Sequence, residues 1–243
     1  MEKPFNIPLS KGLTAPAIRV KSPQDLSDAI HQLNLRNSRP VLVIVGGASK
    51  ISESDLNRLR LLFIKVLAPL AEDLGASVVD GGTDAGVMQM IGRARVETGA
   101  TFPLIGVTPV GKIALPNQNP PEEVTPLEPN HTHFVLIPGC EWGDESPWIV
   151  NVATAIANGS PSVTVLVNGG EISKKDVSEN LKANRTVLAV AGSGRFADIL
   201  TAALHAETSD RQASELAASG LIKAIDLKDN FDNLTQSIKS YFL

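Results

Sequence analysis

Three segments of the chain combine glycines with small polar residues in the manner of phosphate-binding turns. They are Gly46-Gly47-Ala48-Ser49, Asp80-Gly81-Gly82-Thr83-Asp84-Ala85-Gly86-Val87-Met88 and Gly192-Ser193-Gly194-Arg195. Each follows an apolar run typical of a buried strand. Glycine lets a backbone approach a ligand closely, and the first N–H groups of a helix favour an anion. Three such junctions in one domain predict a cleft for a phosphate-bearing ligand.

Two residue types at these junctions add to that prediction. Thr83 or Asp84 is expected to cap the helix after the second turn. Arg195 begins the helix after the third turn, where a guanidinium group could bind two phosphate oxygens while the Gly194 and Arg195 amides point at them. The alternative is a surface arginine that binds a neighbouring carbonyl group. The flanking glycines favour the phosphate-binding interpretation.

Three carboxylates are the candidate catalytic groups. Glu141, Asp144 and Glu145 lie in one irregular segment after an apolar run. They could bind a ribose hydroxyl or act as general acid and base. They could equally form a solvated acidic loop, and the sequence does not decide between the two interpretations.

Histidines two positions apart precede another apolar run. Asn130, His131 and His133 lie between a proline-rich segment and a predicted strand. Alternation places both histidines on one side of that strand, where they could bind a metal, but no third ligand is evident nearby. Bracing of a loop, or contact with the ligand, is therefore favoured over a metal site. Thr108 and Pro109 end a further apolar run and join the candidate ligand-binding residues, as do Gly86 and Val87.

Apolar runs and helical periodicity alternate along the chain. Strands are predicted at residues 40–45, 76–79, 103–107, 131–137, 163–167, 186–190 and 221–227. Helices are predicted at residues 23–35, 52–74, 85–98, 147–158, 173–183, 195–204 and 230–241. Pro69 should kink or split the second of these helices, and five prolines between residues 112 and 130 exclude regular structure there.

This alternation predicts a doubly wound α/β fold with a mainly parallel sheet covered by helices. Residues 1–36 are expected to form an extended arm, which ends in a short strand at residues 17–20, and a helix packed on a domain of residues 37–243. Ligands of such folds bind beyond the carboxyl ends of the strands, where the strand order reverses. All three glycine turns follow strands and so belong to that edge.

The amino-acid composition limits the classes of partner that this protein could bind. The net charge is −4 without a block of like charges, which argues against a nucleic-acid surface and a polybasic membrane anchor. No apolar run is long enough to span a bilayer, and the first residues lack a signal peptide. Cys140 is the single cysteine, which excludes an internal disulfide. The sequence predicts a cytoplasmic protein.

Three blocks of the sequence resemble one family in their residues and their order. They are Asp80-Gly81-Gly82-Thr83-Asp84-Ala85-Gly86-Val87-Met88, Pro129-Asn130-His131-Thr132-His133-Phe134 and Gly192-Ser193-Gly194-Arg195-Phe196-Ala197-Asp198-Ile199-Leu200. Together they resemble the amino-terminal SLOG (LSDAT) domain of melastatin-type TRP channels. The SLOG superfamily also contains Lonely Guy phosphoribohydrolases and lysine-decarboxylase-like proteins. The resemblance spans residues 40–205.

The resemblance implies a Rossmann-like fold and a nucleotide-derived ligand, since some of these channel domains bind ADP-ribose or a relative. It implies a sensor or carrier module for an ADP-ribose- or NAD-related compound or a nucleoside phosphate, with no further cofactor and no metal. It also implies a homodimer or higher homo-oligomer, as do apolar helices that one chain does not fully cover.

Two departures from the family patterns leave the activity open. The Pro-Gly-Gly-x-Gly-Thr-x-x-Glu motif, which supplies catalytic residues in Lonely Guy enzymes, is absent. Trp148-Ile149 stand where the channel domains tend to carry an arginine. An enzyme that cleaves a glycosidic or phosphate bond of a nucleotide therefore remains the alternative to a binding module.

Overall fold

The computed structural model describes residues 2–35, 38–47, 52–115 and 124–243. Within these ranges nine strands form one sheet, in the order β1-β2-β6-β5-β4-β3-β7-β8-β9. The strands are β1 (Phe5–Pro8), β2 (Thr14–Arg19), β3 (Val41–Gly46), β4 (Ser77–Asp80), β5 (Leu104–Pro109), β6 (His133–Ile137), β7 (Ser162–Val167), β8 (Thr186–Ala191) and β9 (Ile222–Asp226). Only β1, at one edge, runs antiparallel to its neighbour. The doubly wound α/β class predicted from the sequence is confirmed.

The strand order reverses beside β3. From β3 the chain proceeds outward through β4, β5 and β6 on one side, and later through β7, β8 and β9 on the other. Val41 to Gly46 of β3 pair in parallel with Ser162 to Val167 of β7. The connections that leave the carboxyl ends of these two strands turn to opposite halves of the sheet, which opens a crevice between them.

The helices of the described residues cover both faces of the sheet. They are α1 (Leu26–Gln32), α2 (Glu53–Leu62), α3 (Ala68–Asp73), α4 (Gly86–Glu97), α5 (Ser146–Ala157), α6 (Glu171–Lys182), α7 (Arg195–Leu204), α8 (Arg211–Ala217) and α9 (Phe231–Lys239). On β3, Val41, Val43 and Val45 pack under the layer that contains α1, α5, α6 and α7. Leu42 and Ile44 pack under α2, α3, α4 and α9 on the other face. No helix in the described ranges is long and apolar enough to cross a membrane.

The first residues of the chain form two strands: β2 overlaps the short strand predicted at residues 17–20, and β1 was not predicted. β1 and β2 make an antiparallel pair, and β2 pairs with β6 only through Ala17, Ile18 and Arg19. Pro16 precedes that pairing and faces Asn6 of the edge strand. Proline cannot donate to a sheet and is tolerated beside an edge, so the prolines that argued against regular structure are compatible with this hairpin. The short helix α8, near the other end of the chain, was also not predicted from the sequence.

Pro69 acts as predicted, through a π-helical turn. Helix α2 continues directly into a π-helical segment, Phe63–Leu67, and then into α3 with Pro69 in its first turn. Proline lacks the N–H group that would bond the carbonyl group four residues earlier. The wider turn before it accommodates that loss and keeps Phe63, Val66 and Leu67 fully buried.

Irregular structure follows β5, as the prolines predicted. A single 3₁₀ turn, Val110–Lys112, comes after the strand. In the described residues from there to β6, the only pairing is an isolated bridge between Leu127 and Thr83. Residues 116–123 lie outside the described ranges.

A close backbone contact supports the turn after β4. A Cβ atom built on Gly106 of β5 would lie 2.6 Å from the Cα atom of Gly82 and 2.7 Å from the ring of Phe134. Phe134 is fully buried, so neither neighbour has room to move. Only glycine at position 106 lets the β4 turn lie against β5.

We therefore expect Gly106→Ala to destabilise the fold by about 1–3 kcal/mol through overpacking. Urea unfolding of the two proteins measures the difference. Gly81→Ala is the matched control, because a Cβ at Gly81 meets only ordinary contacts at 4.0 Å and Gly81 has no positive φ. Equal stability of Gly106→Ala and the native protein would contradict this packing argument.

Candidate functional site

A cleft of about 530 Å³ opens at the carboxyl ends of β3, β4 and β7, where the strand order reverses. It is formed by strand ends, by the first turns of helices and by one loop. Its lining residues are Ile44, Val45, Gly46, Gly47, Gly81, Thr83, Ala85, Met88, Thr125, Trp142, Glu145, Ile149, Gly170, Glu171, Ile172, Ser173, Asp176 and Arg195. The edge of the sheet expected from the glycine turns is the edge at which this cleft lies.

A larger cavity of about 760 Å³ adjoins the cleft along Gly46 and Gly47. It lies between α2 and α4 and is also lined by Gly86, Met88 and Arg93. We place the candidate site in the smaller cleft, because that cleft lies at the switch point and brings together more of the predicted residues. Ala48 and Ser49, predicted for ligand binding, lie outside the described residues.

The amino terminus of α4 borders the cleft, which Ala85 and Met88 line, and it has no side-chain cap. The prediction that Thr83 or Asp84 caps this helix is wrong: Ala85 is the N-cap, and its side chain accepts no hydrogen bond. Among the described residues, no hydrogen bond involves the N–H groups of Gly86, Val87 or Met88, and the first bond is from Gln89 to the Ala85 carbonyl group. An uncapped helix start of this kind suits an anion.

Neighbouring segments fix the turn that leads into α4. The hydroxyl of Thr108 donates to the Gly81 carbonyl group at 2.8 Å, and the Gly82 N–H donates to Asp80 Oδ1 at 2.7 Å. The N–H of Asp84 donates to the Pro126 carbonyl group at 2.8 Å. Thr108 therefore lies behind the turn and outside the cleft lining, as does Pro109 next to it.

A buried histidine joins two carboxylates beneath the same turn. His131 Nε2 lies 2.8 Å from Asp80 Oδ1, and His131 Nδ1 lies 2.8 Å from Glu128 Oε2. All three side chains are almost completely buried. Burial alone would lower the pKa of His131, but the charges of Asp80 and Glu128 and their hydrogen bonds outweigh it and raise the pKa to about 9. His131 is therefore an imidazolium at neutral pH.

Asn130 completes this cluster. Its backbone N–H donates to Glu128 Oε2 at 2.8 Å and its side-chain amide to Glu128 Oε1 at 2.6 Å. Asn130 and His131 thus hold the segment before β6 against the β4 turn, and neither lines the cleft. In the part of the chain that the structure describes, no group of three or more His, Cys, Asp or Glu residues could hold a metal.

The third glycine turn lies behind the cleft and presents only Arg195 to it. The Gly192 N–H donates to Asp198 Oδ1 at 2.7 Å. The Asn168 N–H donates to the buried Ser193 hydroxyl at 2.8 Å. The first N–H groups of α7 are also engaged, since that of Ala197 donates to the Asn168 carbonyl group at 2.9 Å. Gly192, Ser193 and Gly194 are absent from the cleft lining.

Arg195 itself reaches the cleft across Gly170. A Cβ atom at Gly170 would lie 2.8 Å from Arg195 Nη2, so glycine at position 170 makes room for the guanidinium group. Arg195 has a positive φ of 52°, an uncommon backbone conformation for a residue other than glycine. Arg195 is exposed and contributes a full positive charge to the cleft.

The three carboxylates of the acidic loop have different positions. Glu141 is exposed and lies 3.8 Å from Lys112 Nζ. Asp144 Oδ2 accepts hydrogen bonds from the N–H groups of Cys140 and Glu141, which shapes the loop. Glu145 alone lines the cleft, where it is buried, and burial raises its pKa.

A fourth carboxylate, Asp176, was missed by the sequence analysis. It lines the cleft from α6, is 6 % exposed, and Oδ1 accepts a hydrogen bond from Ser146 Oγ at 2.6 Å. Burial raises its pKa to about 7. The sequence carries a signal for it: residues 168–176 read Asn-Gly-Gly-Glu-Ile-Ser-Lys-Lys-Asp. This segment keeps two glycines of the Lonely Guy motif and has Ser173 and Asp176 where that motif has Thr and Glu.

The fold and the cleft together define an α/β protein of the Rossmann-like class with a ligand-sized crevice at its switch point. Within that class the chain belongs to the family described as "SLOG in TRPM, prokaryote", whose model matches residues 39–235. The family resemblance stated from the sequence is confirmed.

Curated relatives are TRP channels of the M subfamily. Member-like 2 of Nematostella vectensis is 28 % identical over 228 residues, which cover 76 % of this chain and 15 % of the relative. Member 2 of Mus musculus is 23 % identical over 235 residues, which cover 81 % of this chain and 15 % of the relative. This chain therefore matches only a small part of each channel.

The buried cluster predicts a specific pH dependence of stability. Because folding raises the pKa of His131 from 6.5 to about 9, its contribution is complete below about pH 6.5 and is lost as the pH rises through about 9. We expect His131→Gln to destabilise the protein by about 3–5 kcal/mol at neutral pH, since two buried carboxylates lose their counter-charge.

Urea unfolding between about pH 6 and pH 9.5 measures both effects. His131→Gln should also flatten the loss of stability on the alkaline side of that range. His31→Gln, on the exposed face of α1, is the control and should behave as the native protein. An unchanged alkaline slope in His131→Gln would show that His131 is not the group that titrates.

Proposed function

We propose that this protein binds a nucleotide-derived, phosphate-bearing ligand as a sensor or carrier module. The ligand class is ADP-ribose- or NAD-related compounds or a nucleoside phosphate. The observation that carries the proposal is the convergence of Arg195 and the uncapped start of α4 on one cleft at the switch point. Membership of the SLOG family and the resemblance to channel domains that bind ADP-ribose support the same class.

The cleft offers distinct surfaces to the parts of such a ligand. Arg195 and the N–H groups at the start of α4 supply positive charge and donors for phosphate oxygens. Ile44, Val45 and Ile149 supply an apolar wall. Trp142 is 37 % exposed at the cleft and offers a ring face to a base. A volume of about 530 Å³ suits a nucleotide-sized molecule.

We further propose that the protein acts in the cytoplasm as a homodimer or higher homo-oligomer. Leu61 of α2 is 38 % exposed and Val96 of α4 is 60 % exposed, so each of these two helices keeps a large apolar side chain in solvent. A second subunit would bury them. Light scattering at micromolar concentration tests the assembly, and a monomeric mass would contradict it.

An enzyme that cleaves a glycosidic or phosphate bond of a nucleotide is the second candidate. The observation that favours it is the pair of buried carboxyl groups, Glu145 and Asp176, with raised pKa values in the same cleft. Incubation with AMP, NAD and ADP-ribose, followed by product analysis, separates the two candidates. Turnover that disappears in Asp176→Asn and Glu145→Gln would favour the enzyme, and turnover absent from the native protein would favour the binding module.

Replacement of Arg195 tests the phosphate end of the cleft. Arg195→Ala should lower the affinity for ADP-ribose about ten- to hundredfold, because one charge-assisted hydrogen-bonded contact worth about 1.5–3 kcal/mol is lost. Arg195→Lys should recover only part of this loss, since an ammonium group cannot bind two oxygens side by side. Calorimetric titration of each variant measures the affinities.

The matched control for this experiment is Arg211→Ala. Arg211 lies on α8, outside the cleft, and its side chain is 92 % exposed beside Glu215. Its replacement should leave both affinity and melting temperature unchanged. Arg195→Ala should likewise keep the melting temperature of the ligand-free protein. Native affinity in Arg195→Ala would place the phosphate elsewhere, at the turn of Gly81, Gly82 and Thr83.

A further inference from the structure

Two buried carboxyl side chains line the cleft close enough for the charge of one to influence the other. Asp176 comes from the second turn of α6, and Glu145 is the residue that precedes α5. Asp176 is 6 % exposed and Glu145 is 7 % exposed, and both line the cleft. Carboxyl groups this deeply buried require a partner of opposite charge or a proton.

The hydrogen bonds of the pair leave an oxygen of Asp176 available. Ser146 Oγ donates to Asp176 Oδ1 at 2.6 Å, and the Gly143 N–H donates to Glu145 Oε2 at 2.8 Å. In the described ranges, no hydrogen bond engages Asp176 Oδ2, and this oxygen is not among the fully enclosed polar atoms without a partner. Asp176 Oδ2 is therefore accessible from the cleft.

The charged groups around the pair do not neutralise it. Burial, aided by the nearby Glu145, raises the pKa of Asp176 to about 7, although the hydrogen bond from Ser146 lowers it. Lys175 of α6 lowers the pKa of both carboxyl groups, but it is exposed. Asp144, beside Glu145 in the loop, raises the pKa of Glu145.

The other elements packed on α6 add few charges. Glu171 of α6 and Arg195 at the start of α7 line the cleft and are exposed, while Asp198 of α7 is bonded to the Gly192 N–H. β3, β7 and β8 carry no titratable residue. Among the described residues, the cations of this region, Lys175 and Arg195, are therefore both exposed to solvent, and the two carboxyl groups are buried.

We infer that Asp176 and Glu145 form a proton-linked subsite that donates a hydrogen bond to a neutral oxygen of the ligand, such as a sugar hydroxyl. Anionic ligand binding then takes up a proton from solvent onto this pair. The inference rests on the proposed function and adds to it the class of ligand group bound at this end of the cleft.

The proton uptake follows from the negative charge of the ligand. A ligand phosphate brought into the cleft adds negative charge near the pair and stabilises its protonated state. A protonated carboxyl group can donate a hydrogen bond, which a carboxylate cannot do. The same repulsion excludes a second phosphate from this end, so the subsite selects a ligand whose distal part is uncharged.

Calorimetry in two buffers of different ionisation enthalpy measures the proton uptake, with ADP-ribose and AMP as the probes. We expect uptake of up to one proton, with affinity that falls by up to about tenfold per pH unit above about pH 7. Asp176→Asn stays neutral and keeps a donor, so it should remove most of the uptake and of the pH dependence of the affinity. Asp232→Asn, on the exposed face of α9, is the matched control and should retain both.

Unfolding of the ligand-free protein tests the proton on Asp176 directly. Since folding raises the pKa of Asp176 from 3.8 to about 7, native stability should fall relative to that of Asp176→Asn as the pH rises through this range, and the difference should be constant above it. Parallel pH profiles of the two proteins would overturn the inference.

The binding outcomes separate the inference from the proposed function. ADP-ribose or AMP binding without proton uptake would overturn the inference and leave the proposed function standing. Failure of both probes to bind would overturn both.

Discussion

A positive charge enclosed between two negative charges fixes the ligand edge of this protein. The imidazolium of His131 lies between Asp80, at the end of β4, and Glu128, in the segment that precedes β6. A Cβ at Gly92 of α4 would overlap the Glu128 carboxylate, so α4 also depends on this arrangement. One buried cluster thus sets the relative position of a strand, a loop and the helix that begins at the cleft. Removal of the His131 charge would leave two carboxylates buried without a counter-charge.

Most of the sheet could be predicted from the sequence, because each central strand is a continuous run of apolar residues. A strand such as β3, apolar at every position from Val41 to Val45, is buried on both faces and must be parallel and central. The edge strand β1 was not predicted, because proline in a short, half-exposed strand is typical of a loop, whereas the strand predicted at residues 17–20 overlaps β2. β1 depends on its pairing with β2, and β2 depends on its pairing with β6, which is distant in sequence and is not visible in local patterns.

The glycine turns show which part of the site could not be predicted from the sequence: which of the turns line the cleft. All three turns looked alike in sequence, yet Gly81 lines the cleft while Gly192 and Ser193 are bonded within the scaffold behind it. Which N–H groups stay available depends on distant carbonyl groups such as that of Asn168, and no local pattern reports them. Asp176 was missed because its burial, which raises its pKa, depends on how α6 packs against other elements such as α5, although residues 168–176 carry a motif signal for it.

The pairing of β3 with β7 has a consequence for how the protein folds while it is being synthesised. Val41 lies next to Ser162, and Gly46 next to Val167, so the centre of the sheet joins segments that are far apart along the chain. The cleft needs residues from both segments and also Arg195. While the chain is being synthesised, β3 can pair with β4 on one side, but its other edge lacks its neighbour β7 until most of the chain has been made. Folding must be slow and cooperative, with hydrophobic strands at risk of aggregation in the interval.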